Sequence, residues 1–436
     1  MAKKQDLKIT RRKPETGRGG GSGKKETFPV SEESSVSPAE TGEPVALPVK
    51  KRKRRHPFLR AFFRLLLVAA VLAAGIAVWK NWDKLAPEAL LDWIDLKLAG
   101  ADKGDGFPYT ISGDTVVAMG QAKNNLVLLT DTSLLFINEK GGEVARRSHA
   151  YARPLLKTAG SYALVAERGG GRYQLETRRE TVLTGQLEGR NILAAALQQD
   201  GKFALATDTA SQSYQSELDV YDRKGNLLFS WKSPRLLLTD VSFSPEGDRL
   251  AAVGVTAEAG NMRSTLLIFD LTQKNVTPME YTGDGLMLFG VTCFTGGTVA
   301  AVGDTEIWVV NPGGTLFEKH SYDGLEPNGY AFGESSIGIV LRHSGASEGG
   351  RLMVVNATGD VAYTAEFSGT FRHLSANASG FWLLTSDALH EAGPSGLNRQ
   401  TEVEADGRMV VDYKGEAMVL GLTTLKPVDM SSASEE

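Results

Sequence analysis

The chain has 436 residues and a formal net charge of −4, but its charge is unevenly divided. Residues 1–56 carry a net +8, residues 57–80 contain no Asp or Glu, and residues 81–436 carry a net −15. The acidic C-terminal part excludes nucleic-acid binding there, and the single cysteine, Cys293, excludes an internal disulfide and a cysteine-based metal site. Because Cys293 lies in an apolar run, we expect it to be a small buried side chain.

Residues 1–57 mix Lys, Arg, Gly, Ser, Pro and Glu, and they cannot bury enough apolar surface to fold. We predict a disordered, basic, cytoplasmic arm. A glycine-rich run at residues 18–24 lacks the ending of a phosphate-binding loop, because Lys24 is followed by Lys25 and not by Ser or Thr. The sequence therefore predicts no nucleotide or other cofactor site in this arm.

A transmembrane helix is predicted at residues 58–80. Residues 61–79 contain a single charge, Arg64, and as a helix they would measure about 28 Å, close to the roughly 30 Å hydrocarbon core. Positive charge stays on the cytoplasmic side of a membrane. We therefore expect a single-pass protein of the cell membrane with a cytoplasmic N-terminus, an extracytoplasmic C-terminal part, and lipid contact through residues 58–80. The topology-determining residues are Lys50, Lys51, Arg52, Lys53, Arg54 and Arg55.

Three alternatives compete with the membrane span. The small residues at 74–77 resemble a signal-peptide cleavage site, the apolar composition also fits a buried core helix, and the basic run also fits a nuclear-localisation signal. A signal peptide does not carry 56 residues before its apolar region. The position of the basic run directly before the apolar stretch disfavours the other two.

Residues 81–108 are predicted to form a juxtamembrane helix and a linker. Pro87 suits a first helical position, and Leu90, Leu91, Ile94 and Leu98 fall on one face. The helix either lies on the membrane or packs beneath the next domain. We favour packing, because the helix is acidic and anionic lipid would repel it.

From residue 109 onward the sequence predicts an all-β domain with a repeated unit. Each unit has an apolar strand that ends in Asp or Asn, then a tight turn that usually contains Gly, then another strand. The Asp and Asn positions are 84, 48, 41 and 45 residues apart, so one copy near residues 174–184 has drifted. The turn residues are Asn138, Gly141, Asp222, Gly225, Asp270, Asn311, Gly313, Asn356 and Gly359. A second polar turn lies upstream in each unit, most clearly at Gly201 and Gly247.

A period of about 40–45 residues with three to four short strands is typical of β-propeller blades. We predict a β-propeller over residues 109–428 and a disordered tail over residues 429–436. The tail strands at 408–413 and 416–423 either complete the last of seven blades or begin an eighth, which a strand near residues 109–111 would close. We favour seven blades, beginning near Val116, Arg153, Ile192, Leu237, Leu286, Leu325 and Phe371.

The run at residues 242–251, Ser-Phe-Ser-Pro-Glu-Gly-Asp-Arg-Leu-Ala, resembles the inner turn of WD40-like and quinoprotein-like propellers. The layout of basic arm, single span and acidic propeller resembles an uncharacterised family of membrane-anchored propeller proteins of Gram-positive bacteria. The resemblance covers residues 50–425 and implies a fold, not an activity. The sequence departs from true WD40 blades, since it lacks their Trp-Asp dipeptide, and from quinone dehydrogenases, since Trp231, Trp308 and Trp382 share no repeated context.

No catalytic, metal-binding or cofactor-binding residues are predicted. The six histidines include no pair at i, i+4 spacing. The favoured function is a scaffold in the bacterial cell envelope whose propeller loops bind a protein or a wall polymer, without nucleic acid. The first alternative is an exported hydrolase or lyase that uses acidic residues on one face of the propeller, with or without Ca²⁺. The second is a single-span envelope sensor.

Overall fold

The structure is a computed structural model that describes residues 66–67, 104–258, 260–315, 317–430 and 434–435. The chain divides into two compact units, residues 1–81 and 82–436. The predicted arm, the basic run at residues 50–55 and the predicted juxtamembrane helix lie outside the described residues. So does the predicted span, except for Leu66 and Leu67, which are helical. No helix in the described part of the chain is long and apolar enough to cross a membrane.

From residue 109 onward the chain forms antiparallel strands. β1 (Tyr109–Thr110) precedes the first sheet. Blade 1 contains β2 (Val116–Ala122), β3 (Asn125–Thr130), β4 (Ser133–Ile137) and β5 (Glu143–Ser148). Blade 2 contains β6 (Pro154–Ala159), β7 (Tyr162–Glu167), β8 (Arg172–Thr177) and β9 (Thr181–Gln186). Blade 3 contains β10 (Ile192–Leu197), β11 (Phe203–Asp208), β12 (Ser216–Tyr221) and β13 (Leu227–Ser233). Blade 4 contains β14 (Leu237–Phe243), β15 (Arg249–Glu258), β16 (Asn261–Asp270) and β17 (Met279–Asp284).

The second half of the ring repeats this plan. Blade 5 contains β18 (Leu288–Cys293), β19 (Val299–Gly303), β20 (Glu306–Val310) and β21 (Phe317–Ser321). Blade 6 contains β22 (Glu326–Phe332), β23 (Ser336–Arg342), β24 (Gly350–Asn356) and β25 (Val361–Phe367). Blade 7 contains β26 (Phe371–Ala376), β27 (Phe381–Thr385), β28 (Ala388–Gly393) and β29 (Gly396–Glu402). The last strands are β30 (Met409–Tyr413), β31 (Glu416–Leu420), β32 (Thr424–Val428) and β33 (Ser434–Glu435).

The described strands from Tyr109 onward form eight sheets, so this part of the chain is an all-β, eight-bladed propeller. The prediction of seven blades is wrong, and the alternative of eight is right. The eighth sheet has the strand order β1-β32-β31-β30, so the N-terminal strand closes the ring as the outermost strand of a blade built from the C-terminus. The sequence pattern left this blade open as an alternative because its strands lie at opposite ends of the propeller domain and β1 has only two residues.

Side-chain contacts reinforce the closure between blade 8 and blade 1. The Tyr413 hydroxyl donates a hydrogen bond to the Asn124 carbonyl of blade 1 at 2.7 Å. Lys414 forms an ion pair with Glu139. A buried cluster that includes Leu128 and residues of blade 8 fills the space between the two blades. The ring is therefore closed by packing as well as by strand pairing.

Burial explains the composition of each strand. The two middle strands of a blade have both faces covered by neighbouring blades, so they are the most buried strands and in blade 1 are mostly apolar. β3 is buried at all six positions and β4 at all five. The outermost strand β5 alternates instead and exposes Glu143, Arg146 and Ser148. Charged side chains on such an open edge oppose strand pairing between two molecules.

The C-terminal tail also differs from its prediction. Ser434–Glu435, within the segment expected to be disordered, form β33 and pair with Arg399 and Gln400 of β29. The Arg399 guanidinium donates a hydrogen bond to the Met430 carbonyl at 3.4 Å, and Met430 is buried against blades 7 and 8. Met430 and Ser434–Glu435 thus contact blade 7.

Candidate functional site: one mouth of the ring and its channel

Within each blade we name the strands A to D from the central channel outward. The turns that join A to B and C to D lie at one end of the ring, here the AB/CD mouth. The turns that join B to C, and the loops from D to the next A, lie at the other end, here the DA/BC mouth.

The turn residues singled out in the sequence lie at the AB/CD mouth, where they bond to the backbone. The Asn138 side chain accepts hydrogen bonds from the N–H groups of Lys140 and Gly142 at 2.9 and 2.8 Å. Asp222 accepts from the N–H groups of Lys224 and Asn226 at 2.8 and 2.9 Å. These carboxylates and amides therefore shape the C–D turns. Asp270 and Asn311 accept in the same way, and the Asn356 N–H donates to the Asp360 carbonyl.

The glycines of these turns adopt left-handed backbone conformations. The φ angles are +69° at Gly141, +83° at Gly225, +93° at Gly359, +87° at Gly201 and +73° at Gly247. Blade 5 differs, because the residue with positive φ is Gly314, at +67°, one position beyond Gly313. In blade 2, where the repeat has drifted, the Thr177 N–H instead donates to the Glu180 carbonyl at 2.9 Å.

The DA/BC mouth carries a projecting hairpin on blade 4. β15 and β16 have ten residues each, whereas the other second and third strands have five to seven. The hairpin is fixed by salt bridges. The Arg263 guanidinium contacts Asp284 at 2.5 Å and Glu258 at 3.0 Å, and Arg235 contacts Glu258 at 3.5 Å. All four side chains are well exposed, so each pair contributes at most about 1 kcal/mol.

Four apolar side chains are exposed around this hairpin, and we call them the apolar rim. Met262 lies on the hairpin, and its carbonyl accepts a hydrogen bond from the Gly285 N–H at 2.8 Å, two residues before Met287. Leu237 pairs with Val255 at the base of the hairpin. The members and their exposed fractions are Tyr214 39%, Leu237 41%, Met262 46% and Met287 36%.

A polar cluster lies in the channel behind this mouth. The Lys157 ammonium of blade 2 is 3.9 Å from the Asp240 carboxylate of blade 4. The other Asp240 oxygen accepts a hydrogen bond from the Val291 N–H of blade 5 at 3.0 Å. A Cβ on Gly290 would clash with the Tyr330 ring of blade 6 at 2.9 Å, so that ring lies directly on the backbone beside Val291. The channel cluster thus joins side chains of blades 2, 4 and 6.

Burial sets the electrostatics of the channel cluster. Burial raises the pKa of the Asp240 carboxyl above its ordinary range, although Lys157 and the Val291 N–H both oppose the shift. Burial, with a smaller contribution from the Asp240 charge, raises the pKa of Tyr330 to about 12. Arg168, from the B–C turn of blade 2, acts on both groups in the opposite direction. The cluster is therefore one electrostatic unit.

An acidic catalytic centre would need several carboxylates in the channel. The innermost strands of the described propeller carry three, Asp240, Glu326 and Asp412, on three different blades. Glu326 pairs with Arg342 at 3.9 Å, and Asp412 accepts a hydrogen bond from the Trp382 indole at 3.0 Å. No group of three His, Cys, Asp or Glu suited to a metal ion occurs among the residues that the structure describes.

Cys293 is buried, with its sulfur 3.6 Å from the Ser242 carbonyl oxygen. Burial raises the pKa of this thiol to about 12, so it carries almost no thiolate at neutral pH. His373 is also largely buried, which lowers the pKa of its ring, and its Nδ1 lies 3.4 Å from the Val410 N–H of the next blade.

Sequence reasoning missed the channel cluster. Its members come from separate blades and share no local motif. One signal was available: Asp240 is the only charged residue of β14, an otherwise apolar and hydroxylic strand. Lys157 is likewise the only charge in β6.

Residues 109–402 match a family model described as a family of unknown function, DUF5711. Among curated proteins, none matches the chain in sequence.

Solved structures share the fold at low sequence identity. Dihydro-heme d1 dehydrogenase NirN, in complex with DHE, is 13% identical with a TM-score of 0.54, and the match covers 74% of each chain. The C-terminal WD40 domain of Sif2 is 11% identical with a TM-score of 0.53, covering 74% of this chain and 100% of that one. A eukaryotic initiation factor is 11% identical with a TM-score of 0.51, covering 77% of this chain and 92% of that one. These likenesses concern the fold alone.

Proposed function

The chain belongs to the DUF5711 family of unknown function, and from that premise we propose that its propeller is a binding module that receives a partner protein at the DA/BC mouth. The observation that carries this proposal is the apolar rim. Four large apolar side chains of blades 3 to 5 are exposed at this mouth, which also carries a hairpin with longer strands than its counterparts.

Exposed apolar groups that cluster beside charged ones are typical of protein-binding surfaces. Burying apolar surface releases about 25 cal/mol per Å², and the flexible side chains of Met262 and Met287 adapt readily to a partner's contour. The β15–β16 strand pairing, to which the exposed salt bridges of Arg263 add a little, orders the hairpin before binding, which lowers the entropy lost on association. The rim is thus both apolar and pre-organised.

The propeller fold supports a scaffold role without specifying the partner. The WD40 domain of Sif2 has the same fold, but at 11% identity it transfers no ligand or partner to this chain. The partner's chemistry is therefore taken from the rim itself: an apolar protein surface with polar groups at its edge.

Two substitutions, each of which introduces one glutamate, test this function. Met262→Glu places a carboxylate in the rim, and Leu228→Glu places one at a side chain of similar exposure on the outermost strand of blade 3. The tagged full-length chain is extracted from its native cells in mild detergent and isolated with its partner. We expect wild type and Leu228→Glu to recover the same partner equally and Met262→Glu to recover at least tenfold less.

A tenfold loss corresponds to about 1.4 kcal/mol. Equal recovery with all three chains, a loss with Leu228→Glu alone, or wild type always recovered alone would each contradict the proposal. Matched thermal unfolding of the two variants serves as the folding control.

We also propose that the propeller is extracytoplasmic in the bacterial cell envelope and is anchored through residues 58–80. The basic run at residues 50–55, the apolar stretch after it and the net charges of +8 and −15 support this topology. The test uses an impermeant thiol reagent on intact cells. Ser211→Cys, at an exposed propeller position, should be labelled, and Ser35→Cys, in the arm, should be labelled only after lysis. The reverse pattern would contradict the topology.

A further inference from the structure

Two arginines at the DA/BC mouth of blade 2 lack a carboxylate partner. Arg153 and Arg168 are both exposed, and neither forms a hydrogen bond or ion pair through its guanidinium with any of the described residues. Most other arginines in the described propeller form an ion pair with a carboxylate. The examples with carboxylate partners are Arg146, Arg147, Arg172, Arg190, Arg263, Arg351 and Arg399.

The two arginines lie on two adjacent segments, Arg153 on the loop before β6 and Arg168 on the B–C turn of the same blade. The Arg168 N–H donates to the Arg153 carbonyl at 2.9 Å, and the Gly169 N–H donates to the Ile192 carbonyl at 2.8 Å. The Ile192 N–H returns a hydrogen bond to the Gly170 carbonyl at 2.7 Å. The guanidinium of Arg153 lies against Gly169, since a Cβ there would be 3.1 Å from its Nη2. Both cations are therefore presented from a backbone that is fixed to the innermost strand of blade 3.

A third cation extends this site into the channel. Lys157 lies on the innermost strand of the same blade, and its ammonium is 3.9 Å from the Asp240 carboxylate of blade 4. Asp240, the single acid of the channel cluster, also accepts the Val291 N–H and is nearly buried. One carboxylate cannot neutralise three cations, so this side of the mouth keeps an excess of positive charge within an otherwise acidic propeller.

We propose that Arg153, Arg168 and Lys157 form a binding site for an oxyanion, a carboxylate or a phosphate group, carried by a ligand that enters the DA/BC mouth. The chemistry follows from the donors: planar guanidinium groups bind carboxylate and phosphate oxygens in pairs, and the ammonium adds a point charge. Because the three cations are at least partly exposed, salt screens their attraction for the anion, which should be strongest at low ionic strength. This site rests on the proposed function and extends it, since the same mouth would bind both an apolar protein surface and a negatively charged group.

The experiment titrates the full-length chain, in detergent at low ionic strength, with inorganic phosphate and with succinate. Isothermal titration calorimetry follows wild type, the double variant Arg153→Gln/Arg168→Gln, and Arg235→Gln as the matched control. Arg235 is 77% exposed at the same mouth and lies outside the proposed site. We expect saturable binding to wild type and to Arg235→Gln, and at least a tenfold loss in the double variant. Stronger binding of phosphate than of succinate identifies phosphate as the source of the oxyanion, and the reverse order identifies a carboxylate.

Three results would overturn the site: no saturable binding of either anion to wild type, equal weakening in Arg235→Gln, or full binding in the double variant. Equal melting temperatures show that the variants fold. Because no partner protein is present, failure here is distinguishable from failure of the proposed function, which is measured through Met262 and needs no anion.

Discussion

Lys157 and Asp240 approach to 3.9 Å although they belong to blades 2 and 4, with a whole blade between them. In a propeller most contacts join neighbouring blades, since each blade packs on the next. A contact that skips a blade must cross the channel, and it therefore marks where the channel is narrow and charged.

Removing the cation of this pair should destabilise the propeller at neutral pH. Lys157→Met keeps the length of the side chain but leaves the nearly buried Asp240 without its nearest positive charge. Because Lys157 itself is 42% exposed, we expect a loss of about 1 kcal/mol and not the larger cost of a fully buried pair. Urea unfolding of the full-length chain measures this loss, and an unchanged midpoint would show that the pair contributes nothing.

Neutralising Asp240 should stabilise the propeller, whereas removing Lys157 should destabilise it. Its pKa is raised in the folded state, so its ionised form costs stability. That cost is complete above the folded pKa, declines as the pH falls below it, and is gone below the ordinary pKa of aspartate. Asp240→Asn should therefore be more stable than wild type at pH 7, and the difference should shrink as the pH is lowered toward the ordinary aspartate range. A constant difference at all pH values would assign the effect to packing instead.

Two neighbouring glycines of blade 5, Gly313 and Gly314, differ in backbone conformation, so alanine substitutions at the two positions should differ in cost. Gly314 has a φ of +67°, and a Cβ there would lie 2.6 Å from the Tyr281 hydroxyl. A Cβ on Gly313 would meet nothing closer than 3.8 Å. We expect Gly314→Ala to cost about 1 kcal/mol or more and Gly313→Ala to fall within about 0.5 kcal/mol of wild type. Thermal unfolding of the two variants checks this order, and equal costs would contradict it.

The ring closure predicts a specific role for one hydroxyl. Tyr413→Phe removes the hydrogen bond from blade 8 to the Asn124 carbonyl of blade 1. We expect a loss of about 1 kcal/mol, the usual value for a buried hydrogen bond. Tyr330→Phe is the matched control, since the Tyr330 hydroxyl has no hydrogen-bond partner among the described residues. A larger loss in the control than in Tyr413→Phe would argue against the assignment.

Most of the fold could be predicted from the repeat, because the residues that form its turns bond to nearby backbone groups. Asn138 and Asp222 act on backbone groups two to four residues away, so the pattern in the sequence and the bonds in the structure coincide. The predicted starts of the blades fall within two residues of the observed innermost strands, as at Val116 and Leu286. The number of blades is not specified by any local pattern, since it depends on the pairing of Tyr109 with Leu425, at opposite ends of the domain.

The candidate sites were beyond the reach of the sequence for the same reason. Lys157, Asp240 and Tyr330 come together only because the ring closes, and each alone is an unremarkable polar residue in a strand. The apolar rim is equally nonlocal, because an exposed Met262 cannot be distinguished from a buried methionine by composition. Strand patterns specify which side chains face a neighbouring blade, but not which of them remain uncovered at a mouth.

Site-specific photo-crosslinking tests the binding face most directly. A photoreactive amino acid replaces Met262, Met287 or Leu228 in separate full-length chains, which are irradiated in intact native cells. We expect Met262 and Met287 to give an adduct with the same partner protein, and Leu228, of comparable exposure on the outer strand of blade 3, to give none. Adducts from Leu228 with no adduct from either methionine would contradict the assignment of the DA/BC mouth as the partner-binding face.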